Sequence, residues 1–405
     1  MMTKKTDRPK FGLLSDVKVV HSSTVVAGPI VAELMAEMGA DVIWIESTRA
    51  VDTNRGKGGM GAELDRKNMR NISLNIPSPE GQKILKELLK DTDILIESSK
   101  GGQWEKWGLT DEVLWSWNPK LIIAHLSGYG QSGDPEYYTR GAYDPIMQAF
   151  GCLMHLNGFP DRSPVAAREI VTDYYAGLLT LGVSLAALRK AEQTGIGESI
   201  DTAQYEAAIR FQNQRPMDWL TRRVPSPRVG NRNDVTAGWG AYTCKDGEDV
   251  YMMWLGPSVM RSGLPLFGLE FGSELFPSDK NFAELASPGG ELLEKKLAEL
   301  CASHTALEVE NILVDAGVTC SRIMDYEMAE EHPHYIARET FTEWDAVDGR
   351  RLKGINIVPK LKNYPGQIWR GCPTTGMDNE DILEEAGFSP SEIEEFYAKK
   401  IIRKL

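Results

Sequence analysis

The sequence predicts an α/β fold in which a doubly wound parallel sheet forms a large domain and a smaller α+β domain follows it. Three observations support this prediction. Between residues 16 and 130, short apolar runs alternate with amphipathic segments, which is typical of a parallel sheet covered by helices. The segment 210–232 is rich in Pro and Arg, as linkers are. After it, two alternating runs flank a turn and predict an antiparallel hairpin.

Five buried strands are predicted in the large domain, at residues 16–20, 42–46, 71–76, 93–97 and 121–126. Helices are predicted at 30–38, 78–90 and 110–118, because apolar residues recur there every three to four positions. Pro29, Ser78 and Thr110 are typical of helix starts. Ligands of such sheets bind beyond the carboxyl ends of the strands, so we expect residues 98–100 and 128–130 to meet at one crevice.

The small domain is predicted from a hairpin and two helices. Runs 241–244 and 249–254 flank the turn Lys245-Asp-Gly-Glu248, and helices are expected at 290–303 and 305–316. Beyond them we expect a helix over 327–338, strands at 341–347 and 354–358, and helices at 380–385 and after Ser389. The predicted domain ranges are 1–222, 223–330 and 331–405.

Composition argues against several classes of protein. Forty-five basic and 58 acidic residues give a net charge of −13, which is unfavourable for binding nucleic acid or an anionic membrane. The amino end lacks the apolar core of a signal peptide, and no run approaches the ~18 apolar residues of a membrane helix. The five cysteines have neither disulfide nor zinc spacing. We therefore expect a cytoplasmic protein with a disordered amino tail.

Three familiar ligand sites are weakly supported. The pair His332-Pro-His334 is better interpreted as a surface turn than as a metal site, because metals normally need three or four converging ligands. Glu46 ends a strand as the acidic residue of a dinucleotide site would, but the glycine fingerprint is absent and no NAD is expected. The run Arg55-Gly-Lys-Gly-Gly-Met-Gly61, in a loop predicted over residues 49–70, fits a phosphate-wrapping loop and a mobile surface loop equally well.

Asp173 precedes a helix of small apolar residues, which is predicted over residues 176–188. A single Asp at such a position is ordinarily an N-cap, since its carboxylate accepts hydrogen bonds from the first N–H groups of the helix. The residues alone therefore favour a capping role for Asp173.

Four motifs change this interpretation. They are Ala27-Gly-Pro29, Arg168-Glu-Ile-Val-Thr-Asp-Tyr-Tyr-Ala-Gly177, Thr194-Gly-Ile-Gly-Glu-Ser-Ile-Asp201 and Pro365-Gly-Gln-Ile-Trp-Arg370. Together they resemble the family III CoA-transferases, and the likeness extends from Phe11 to about Phe396. Val26 resembles the branch of that family that acts on carnitine-type acids, because the formyl and oxalate relatives carry Gln at this position.

The resemblance implies that Asp173 is a nucleophile that forms an aspartyl-acyl anhydride and then an aspartyl-CoA thioester. It implies coenzyme A or an acyl-CoA as substrate, with no tightly bound cofactor and no metal. It also implies that the carboxyl segment returns to complete the large domain, which makes the small domain an insertion. Finally, it implies a homodimer of two interlocked subunits.

The CoA-binding residues implied by the resemblance are Lys100, Lys106, Ser99, Asn75, Ala27 and Tyr143. Lys106 is included because Trp107 stands where the relatives carry a second basic residue, and a neighbouring lysine supplies charge without bidentate geometry. Gln148 also matches a family position near the active carboxylate. For Tyr143 and Gln148 the alternative is a capped, half-buried helix start.

Three functions from different classes follow. The first is reversible CoA transfer to a small carboxylic acid of the carnitine or γ-butyrobetaine type, with 2-hydroxy or branched-chain acids as the alternative. The second is racemisation of an acyl-CoA, for which His125 or His155 would pair with a carboxylate as acid and base. The third is a non-catalytic CoA-binding subunit, which an intact Asp173 argues against.

The ten tryptophans of the chain could bind a trimethylammonium ligand through their rings, but most of them are expected in the core, so no aromatic cage is predicted.

Overall fold

The structure is a computed structural model that describes residues 8–56 and 59–404. The chain divides into two compact units. The larger comprises Met1–Met154, Ala166–Val224 and Glu339–Leu405, and the smaller comprises His155–Val165 and Pro225–Arg338. These units are defined by packing alone, and the domain ranges 1–222, 223–330 and 331–405 stay predictions.

The elements up to residue 222 are β1 (Lys18–His21), α1 (Ala27–Glu37), β2 (Asp41–Ser47), α2 (Met60–Asp65), β3 (Arg70–Leu74), α3 (Pro79–Leu89), β4 (Ile94–Glu97), α4 (Gln103–Lys106), α5 (Asp111–Trp117), β5 (Ile122–Ser127), α6 (Pro135–Tyr138), α7 (Asp144–Phe150), α8 (Leu153–Leu156), α9 (Val171–Thr194), β6 (Glu198–Ala203), α10 (Gln204–Arg210) and α11 (Arg215–Arg222). Those that follow are β7 (Trp239–Thr243), β8 (Asp249–Met253), α12 (Pro257–Gly263), α13 (Pro288–Ser303), α14 (Ala306–Asp315), β9 (Thr319–Arg322), α15 (Tyr326–Glu331), α16 (Pro333–Ala337), β10 (Phe341–Asp345), β11 (Arg351–Ile355), α17 (Asn379–Glu385) and α18 (Pro390–Ala398).

Strands β1 to β6 form one parallel sheet in the order β3-β2-β1-β4-β5-β6. This order confirms the predicted doubly wound α/β fold. The chain builds outward from β1 to β3 and then restarts on the other side of β1 with β4. A crevice opens where the order reverses, beyond the carboxyl ends of β1 and β4, and such sheets bind ligands there.

Helices cover both faces of the sheet because successive strand residues point to opposite sides. Ile94 and Ile96 pack into a core with residues of α1 and α9. Leu95, between them, packs into a second core with residues of α3, α5 and α17. The sheet is therefore buried on both sides, as the apolar strand sequences predict.

The carboxyl segment pairs with the edge strand β3 of the large sheet. The N–H of Asn71 donates to Asp378 Oδ2 at 2.8 Å, and the N–H of Ser73 donates to Asn379 Oδ1 at 3.0 Å. The N–H of Asp378 donates in turn to the carbonyl of Asn71 at 3.1 Å. These bonds satisfy edge groups that would otherwise be unpaired. The carboxyl segment thus completes the large unit, as expected.

The smaller unit is an α+β fold around the three-stranded antiparallel sheet β7-β8-β9. The predicted hairpin is confirmed, and the N–H of Cys244 donates to the carbonyl of Glu248 across its turn at 2.7 Å. Thr305 and Glu308 form a capping box that begins α14. The core of this unit includes the fully buried Trp254.

Several local predictions were wrong. The strand β6 was not anticipated, because only two of its six residues are buried and its sequence is not apolar. The predicted loop 49–70 contains a 3₁₀ turn, Thr53–Arg55, and helix α2. The linker 210–232 contains α11. The helix predicted over 327–338 is divided into α15 and α16 at His332-Pro333, because proline lacks the N–H that would continue the first helix.

Helix α9 is longer than the predicted 176–188 segment. Its Gly177 packs so closely on α1 that a Cβ atom would lie 2.3 Å from Ile30 Cγ2, which explains a glycine inside a helix. By length and composition α9 could cross a membrane, contrary to the expectation from the sequence. It packs instead against α1, β5 and β6 of the large unit.

Two predictions concern segments outside the described residues. The amino tail falls largely in residues 1–7, and Lys57 and Gly58 belong to the glycine-rich loop.

Candidate active site

Asp173 lies in the first turn of α9, and its side chain does not cap the helix. The N-cap residue is Ile170, which makes no side-chain capping bond. Asp144 on α7 caps the helix instead, since its Oδ1 accepts the N–H and the Oγ1–H of Thr172, each at 2.6 Å. The N–H of Asp173 points to the same oxygen at 3.3 Å. The capping interpretation of Asp173 is therefore wrong, and its carboxylate is left for another role.

The Asp173 carboxyl is buried, with 6% of the residue exposed. Its Oδ1 accepts a hydrogen bond from Gln204 Nε2 at 2.5 Å. Burial raises its pKa, the charge of Asp144 raises it further, and the Gln204 bond lowers it, with a resulting pKa of about 7. A carboxyl whose pKa lies near neutrality in a cavity is a candidate functional group.

Asp173 opens into a cavity of about 260 Å³ beyond the carboxyl ends of the strands. The cavity lies next to the point where the strand order reverses, since residues after β1, β4 and β5 line it. Its walls comprise Thr24, Val25, Val26, Ala27, Ser98, Lys100, Leu126, Ser127, Gly128, Arg140, Gly141, Ala142, Tyr143, Asp173 and Gln204. Ser98, Lys100 and Gly128 are together here, so the predicted crevice is confirmed. We call this the aspartate cavity.

A second cavity of about 430 Å³ adjoins the first, and both are lined by Thr24, Val25 and Tyr143. Its walls include Trp44, Glu46, Asn75, Ser99 and Trp107. We call it the β2–β3 cavity, after the strands at its base. The two cavities together have the size of a small-molecule site with an extended second arm.

Val25, at the junction of the cavities, has φ of 62°, which is rare for a β-branched residue. Buried polar groups fix this turn on both sides. The N–H of Val25 donates to Asp52 Oδ2 at 3.2 Å, and its carbonyl accepts from Arg66 Nη2 and Asn54 Nδ2, each at 3.3 Å. The turn is therefore held by the ion pair of Arg66 with Asp52, whose side chains are buried.

Most of the residues implied for CoA binding line these two cavities. Lys100, Ala27 and Tyr143 line the aspartate cavity, and Tyr143 also lines the β2–β3 cavity with Ser99 and Asn75. Lys106 is exposed at the end of α4 and lines neither. Trp107, the next residue, lines the β2–β3 cavity.

Gln148 is fully buried and fastens the segment that leads into α9. Its Nε2 donates to Asp144 Oδ2 at 2.5 Å, and its Oε1 accepts the N–H of Ala167 at 2.8 Å. Gln148 therefore acts on Asp173 through Asp144. The alternative of a capped, half-buried helix start fits neither residue: Tyr143 is the N-cap of α7 but makes no capping bond and is 66% exposed, and Gln148 lies inside the same helix and is fully buried.

Two other predicted groups are engaged elsewhere. Glu46 accepts Arg55 Nε at 3.0 Å and Thr375 Oγ1 at 2.9 Å, so internal partners occupy the carboxylate that a ribose would need. Arg55 also stacks on Trp44, 4.4 Å from the ring centroid. This arginine is a structural cation rather than a free phosphate ligand. Within residues 8–56 and 59–404, no cluster of three or more His, Cys, Asp or Glu could hold a metal.

The two histidines proposed for racemisation have different surroundings. His125 is buried and both of its ring nitrogens contact carboxylates, Glu97 at 2.7 Å and Asp111 at 3.0 Å. His155 is exposed and belongs to the smaller unit.

Sequence reasoning missed Gln204, the capping role of Asp144 and Arg140 at the aspartate cavity. Gln204 lies 31 positions from Asp173, and no local pattern links the two. The sequence did indicate a capping role for Asp144, since an Asp before Pro at a helix start is a frequent cap. Asp144 begins α7, however, and the helix that it caps is α9.

The sequence matches CoA-transferase family III over residues 14–379. Solved structures with a similar fold include a CaiB/BaiF family protein from Brucella suis, with 24% identity and a TM-score of 0.78, over 93% of this chain and 100% of that one. The Rv3272 protein of Mycobacterium tuberculosis is similar in its orthorhombic form, with 21% identity and a TM-score of 0.76, over 92% of this chain and 99% of that one. An alanine mutant of the same protein has 21% identity and a TM-score of 0.77, over 93% of this chain and 99% of that one.

Proposed function

This chain belongs to CoA-transferase family III and is a CoA-transferase, and from that premise we propose that it transfers CoA from an acyl-CoA to a small carboxylic acid through covalent intermediates on Asp173. One observation carries this proposal. The Asp173 carboxylate, at the wall of the aspartate cavity, is not used as a helix cap and bonds to the neutral Gln204. A carboxylate paired with an amide keeps its negative charge available for attack, which a salt bridge would neutralise.

The reaction begins when an Asp173 oxygen attacks the thioester carbonyl of the acyl-CoA. The C–S bond breaks, CoA leaves as the thiolate, and an aspartyl-acyl anhydride remains. The thiolate then attacks the aspartyl carbonyl, which releases the donor acid as a carboxylate and leaves an aspartyl-CoA thioester. The acceptor carboxylate repeats these steps in reverse, so that it departs with CoA and Asp173 is regenerated.

Burial of Asp173 supports this chemistry in two ways. Both covalent intermediates react with water, so a site with limited solvent access protects them. Desolvation also makes the carboxylate more reactive once it is ionised, at the cost of the higher pKa. Gln204 orients the attacking carboxylate, because its Nε2 holds Oδ1 and leaves the other oxygen without a described hydrogen bond.

For CoA we propose that the β2–β3 cavity receives the nucleotide end and that the thioester reaches the aspartate cavity past Val25 and Tyr143. Lys100 supplies positive charge at the aspartate cavity, which it lines, and Ser99, Asn75 and Ala27 contribute polar and backbone contacts. Trp107 offers a ring where relatives carry a cation, and aromatic rings stack well on purine bases. Lys106 assists by charge alone, since it is exposed. CoA is a substrate in this scheme and not a resident cofactor.

For the acid we propose the carnitine or γ-butyrobetaine type, from the resemblance carried by Val26 and the four motifs. The second candidate, a 2-hydroxy or branched-chain acid, is favoured by the wall of the aspartate cavity. Arg140 and Lys100 both line it, and Tyr143 is its one aromatic side chain among the described residues. Positive charge and a single ring disfavour a trimethylammonium group.

We propose a homodimer from the apolar surface of the large unit. Met217, Trp219 and Leu220 on α11 are 69%, 52% and 68% exposed, and α11 buries none of its residues. Leu178 and Val183 on α9 are also exposed. Three exposed apolar side chains on one short helix are a feature of an interaction surface. A second copy of the chain is the partner that the family resemblance supplies, with interlocked subunits.

A cytoplasmic location is consistent with the five cysteines, which are all free. The racemase alternative is weaker than transfer, because both nitrogens of His125 are committed to carboxylates and neither is open to a substrate.

The test is a transfer panel with purified protein and crotonyl-CoA as donor. The acceptors are carnitine, γ-butyrobetaine, lactate, 2-hydroxyisocaproate and isovalerate, and new acyl-CoA is measured by mass spectrometry. Transfer to the first two acids supports the carnitine assignment. Transfer only to the three acids without a trimethylammonium group rejects that assignment but remains compatible with covalent chemistry on Asp173. Full activity in Asp173→Ala rejects the covalent mechanism.

A further inference from the structure

His125 and Glu97 form a buried ion pair next to residues 98–100, which follow β4. We call residues 98–100 the 98–100 loop; its residues line both cavities. The two residues are direct neighbours in the register of β5 and β4. His125 Nδ1 lies 2.7 Å from Glu97 Oε1, and His125 Nε2 lies 3.0 Å from Asp111 Oδ1 at the start of α5. Glu97 is 1% exposed and His125 is 7% exposed. Two carboxylates therefore hold the imidazole from opposite sides.

This arrangement keeps the imidazole protonated. Burial alone would lower its pKa, but hydrogen bonds and charge from Asp111 and Glu97 raise the pKa of His125 to about 10. A protonated imidazole donates from both nitrogens and has no lone pair to accept a proton. At neutral pH it is a fixed cation that neutralises Glu97.

The second oxygen of Glu97 reaches the loop. Glu97 Oε2 accepts the N–H of Ser99 at 2.7 Å. Gln131 Nε2 bridges Glu97 Oε1 at 3.5 Å and the carbonyl of Ser99 at 3.4 Å. The two backbone groups of Ser99 are thus tied to Glu97, one directly and one through Gln131.

This loop has the central position in the proposed CoA site. Ser98 and Lys100 line the aspartate cavity, and Ser99 lines the β2–β3 cavity. The loop also contacts the turn after β1, since Ser98 Oγ accepts the N–H of Thr24 at 3.1 Å. A change at Ser99 would therefore alter the walls of both cavities.

We propose that His125 is a positioning residue that acts through Glu97: it holds the carboxylate in place so that the Ser99 backbone and the Lys100 side chain are preorganised for CoA. The role rests on the proposed function, because it assigns the 98–100 loop to CoA binding. His125 touches neither CoA nor the reacting atoms. Its contribution appears in affinity for CoA, since preorganisation removes the ordering cost that binding would otherwise carry.

The experiment compares His125→Gln, Glu97→Gln and the matched control Asp111→Asn with the unsubstituted protein. Free CoA is the probe, and its Kd is measured by calorimetry, together with kcat and KM for transfer from crotonyl-CoA to the best acceptor of the panel. Asp111→Asn removes a charge from the same imidazole but leaves the bond from Glu97 to Ser99 intact.

We expect Kd for CoA to rise about tenfold in His125→Gln and in Glu97→Gln, the effect of losing a charged hydrogen bond. The KM for acyl-CoA should rise with it, and kcat should stay within about twofold because Asp173 is not touched. Asp111→Asn should change Kd by about twofold or less. A merely structural role predicts the opposite split, with fewer active molecules, a lower kcat and an unchanged Kd.

Hydrogen exchange of the unsubstituted protein tests the same inference if a variant fails to fold. The amide of Ser99 should exchange much more slowly than other half-exposed loop amides. Unprotected exchange at Ser99, an unchanged Kd in both Gln variants, or an equal loss in Asp111→Asn overturns the proposal. Because Kd for CoA requires no turnover, it remains informative even if Asp173 proves not to be the nucleophile.

Discussion

The N–H of Asp173 points to the Oδ1 atom of Asp144 at 3.3 Å, so one carboxylate caps the helix that presents the other. The same contact brings two acidic side chains together in a buried place. Burial raises the pKa of Asp173, and the charge of Asp144 raises it further. The helix start and the reactivity of the candidate nucleophile are therefore linked through Asp144.

Replacing Asp144 by Asn should move the pH dependence of the reaction to lower pH. Asparagine keeps an oxygen that can accept the Thr172 hydrogen bonds, but it removes the charge that disfavours ionised Asp173. We expect the midpoint of the acidic limb to fall by about 1 pH unit, a common size for such perturbations. The measurement is the rate of adduct formation against pH, which in the unsubstituted protein should rise through about pH 7. An unchanged or higher midpoint would show that the two carboxylates do not interact in this way.

Replacing Asp173 by Asn should stabilise the protein more at pH 8 than at pH 5. The folded protein holds a proton on Asp173 up to about pH 7, whereas the ordinary value of 3.8 means that the unfolded chain has already lost it. Stability of the unsubstituted protein therefore falls as pH rises between these two values, and Asn escapes that loss. Melting temperatures of both proteins at the two pH values are the measurement. Equal differences at pH 5 and pH 8 would argue that Asp173 is ionised at its ordinary pKa.

Lys100→Ala should weaken CoA binding more than it slows the chemical step. A lysine that faces phosphate acts by charge, so its contribution should shrink as salt is added. Calorimetry with CoA at low and high salt measures this, and Lys106→Ala serves as the comparison because Lys106 is exposed and lines neither cavity. The expected loss is severalfold to about tenfold for Lys100 and smaller for Lys106. An equal loss for both residues, or a salt-independent one for Lys100, would remove Lys100 from the site.

Leu220→Glu should shift the protein from dimer to monomer. Leu220 is 68% exposed in a single copy, and a buried carboxylate opposite an apolar partner surface is costly. Light scattering after size exclusion measures the mass directly. Val314→Glu in the smaller unit, at a residue that is 51% exposed, is the matched control. A monomeric unsubstituted protein, or an unaltered dimer in Leu220→Glu, contradicts this choice of interface.

The sequence was informative where periodicity was strong. Five of the six strands of the large sheet were predicted because each is a short apolar run, and a sheet buried on both faces requires that composition. The sixth, β6, lies at the edge of the sheet, buries only two of its six residues and has no such run. Short helices such as α2 were not predicted, because they lie in glycine-rich sequence without a periodic apolar pattern. Tertiary contacts bury their residues instead.

The candidate site was only partly predictable for a similar reason. Lys100 and Gly128 could be assigned to one crevice because the topology of parallel strands fixes where their carboxyl ends lie. The pairing of Gln204 with Asp173 depends on how α10 packs on α9, and no sequence motif around either residue predicts it. The role of Asp173 itself came from family resemblance, because the local sequence favoured a cap that Asp144 in fact supplies.

The most direct test of the account is to trap the covalent intermediate. Purified protein is incubated with crotonyl-CoA, treated with borohydride and digested, and its peptides are mapped by mass spectrometry. An aspartyl-CoA thioester is reduced by borohydride to the side-chain alcohol, so the account predicts this change at Asp173, dependent on acyl-CoA and absent from Asp173→Asn. Transfer activity without any modification at Asp173, or a modification at another carboxylate that persists in Asp173→Asn, would contradict it.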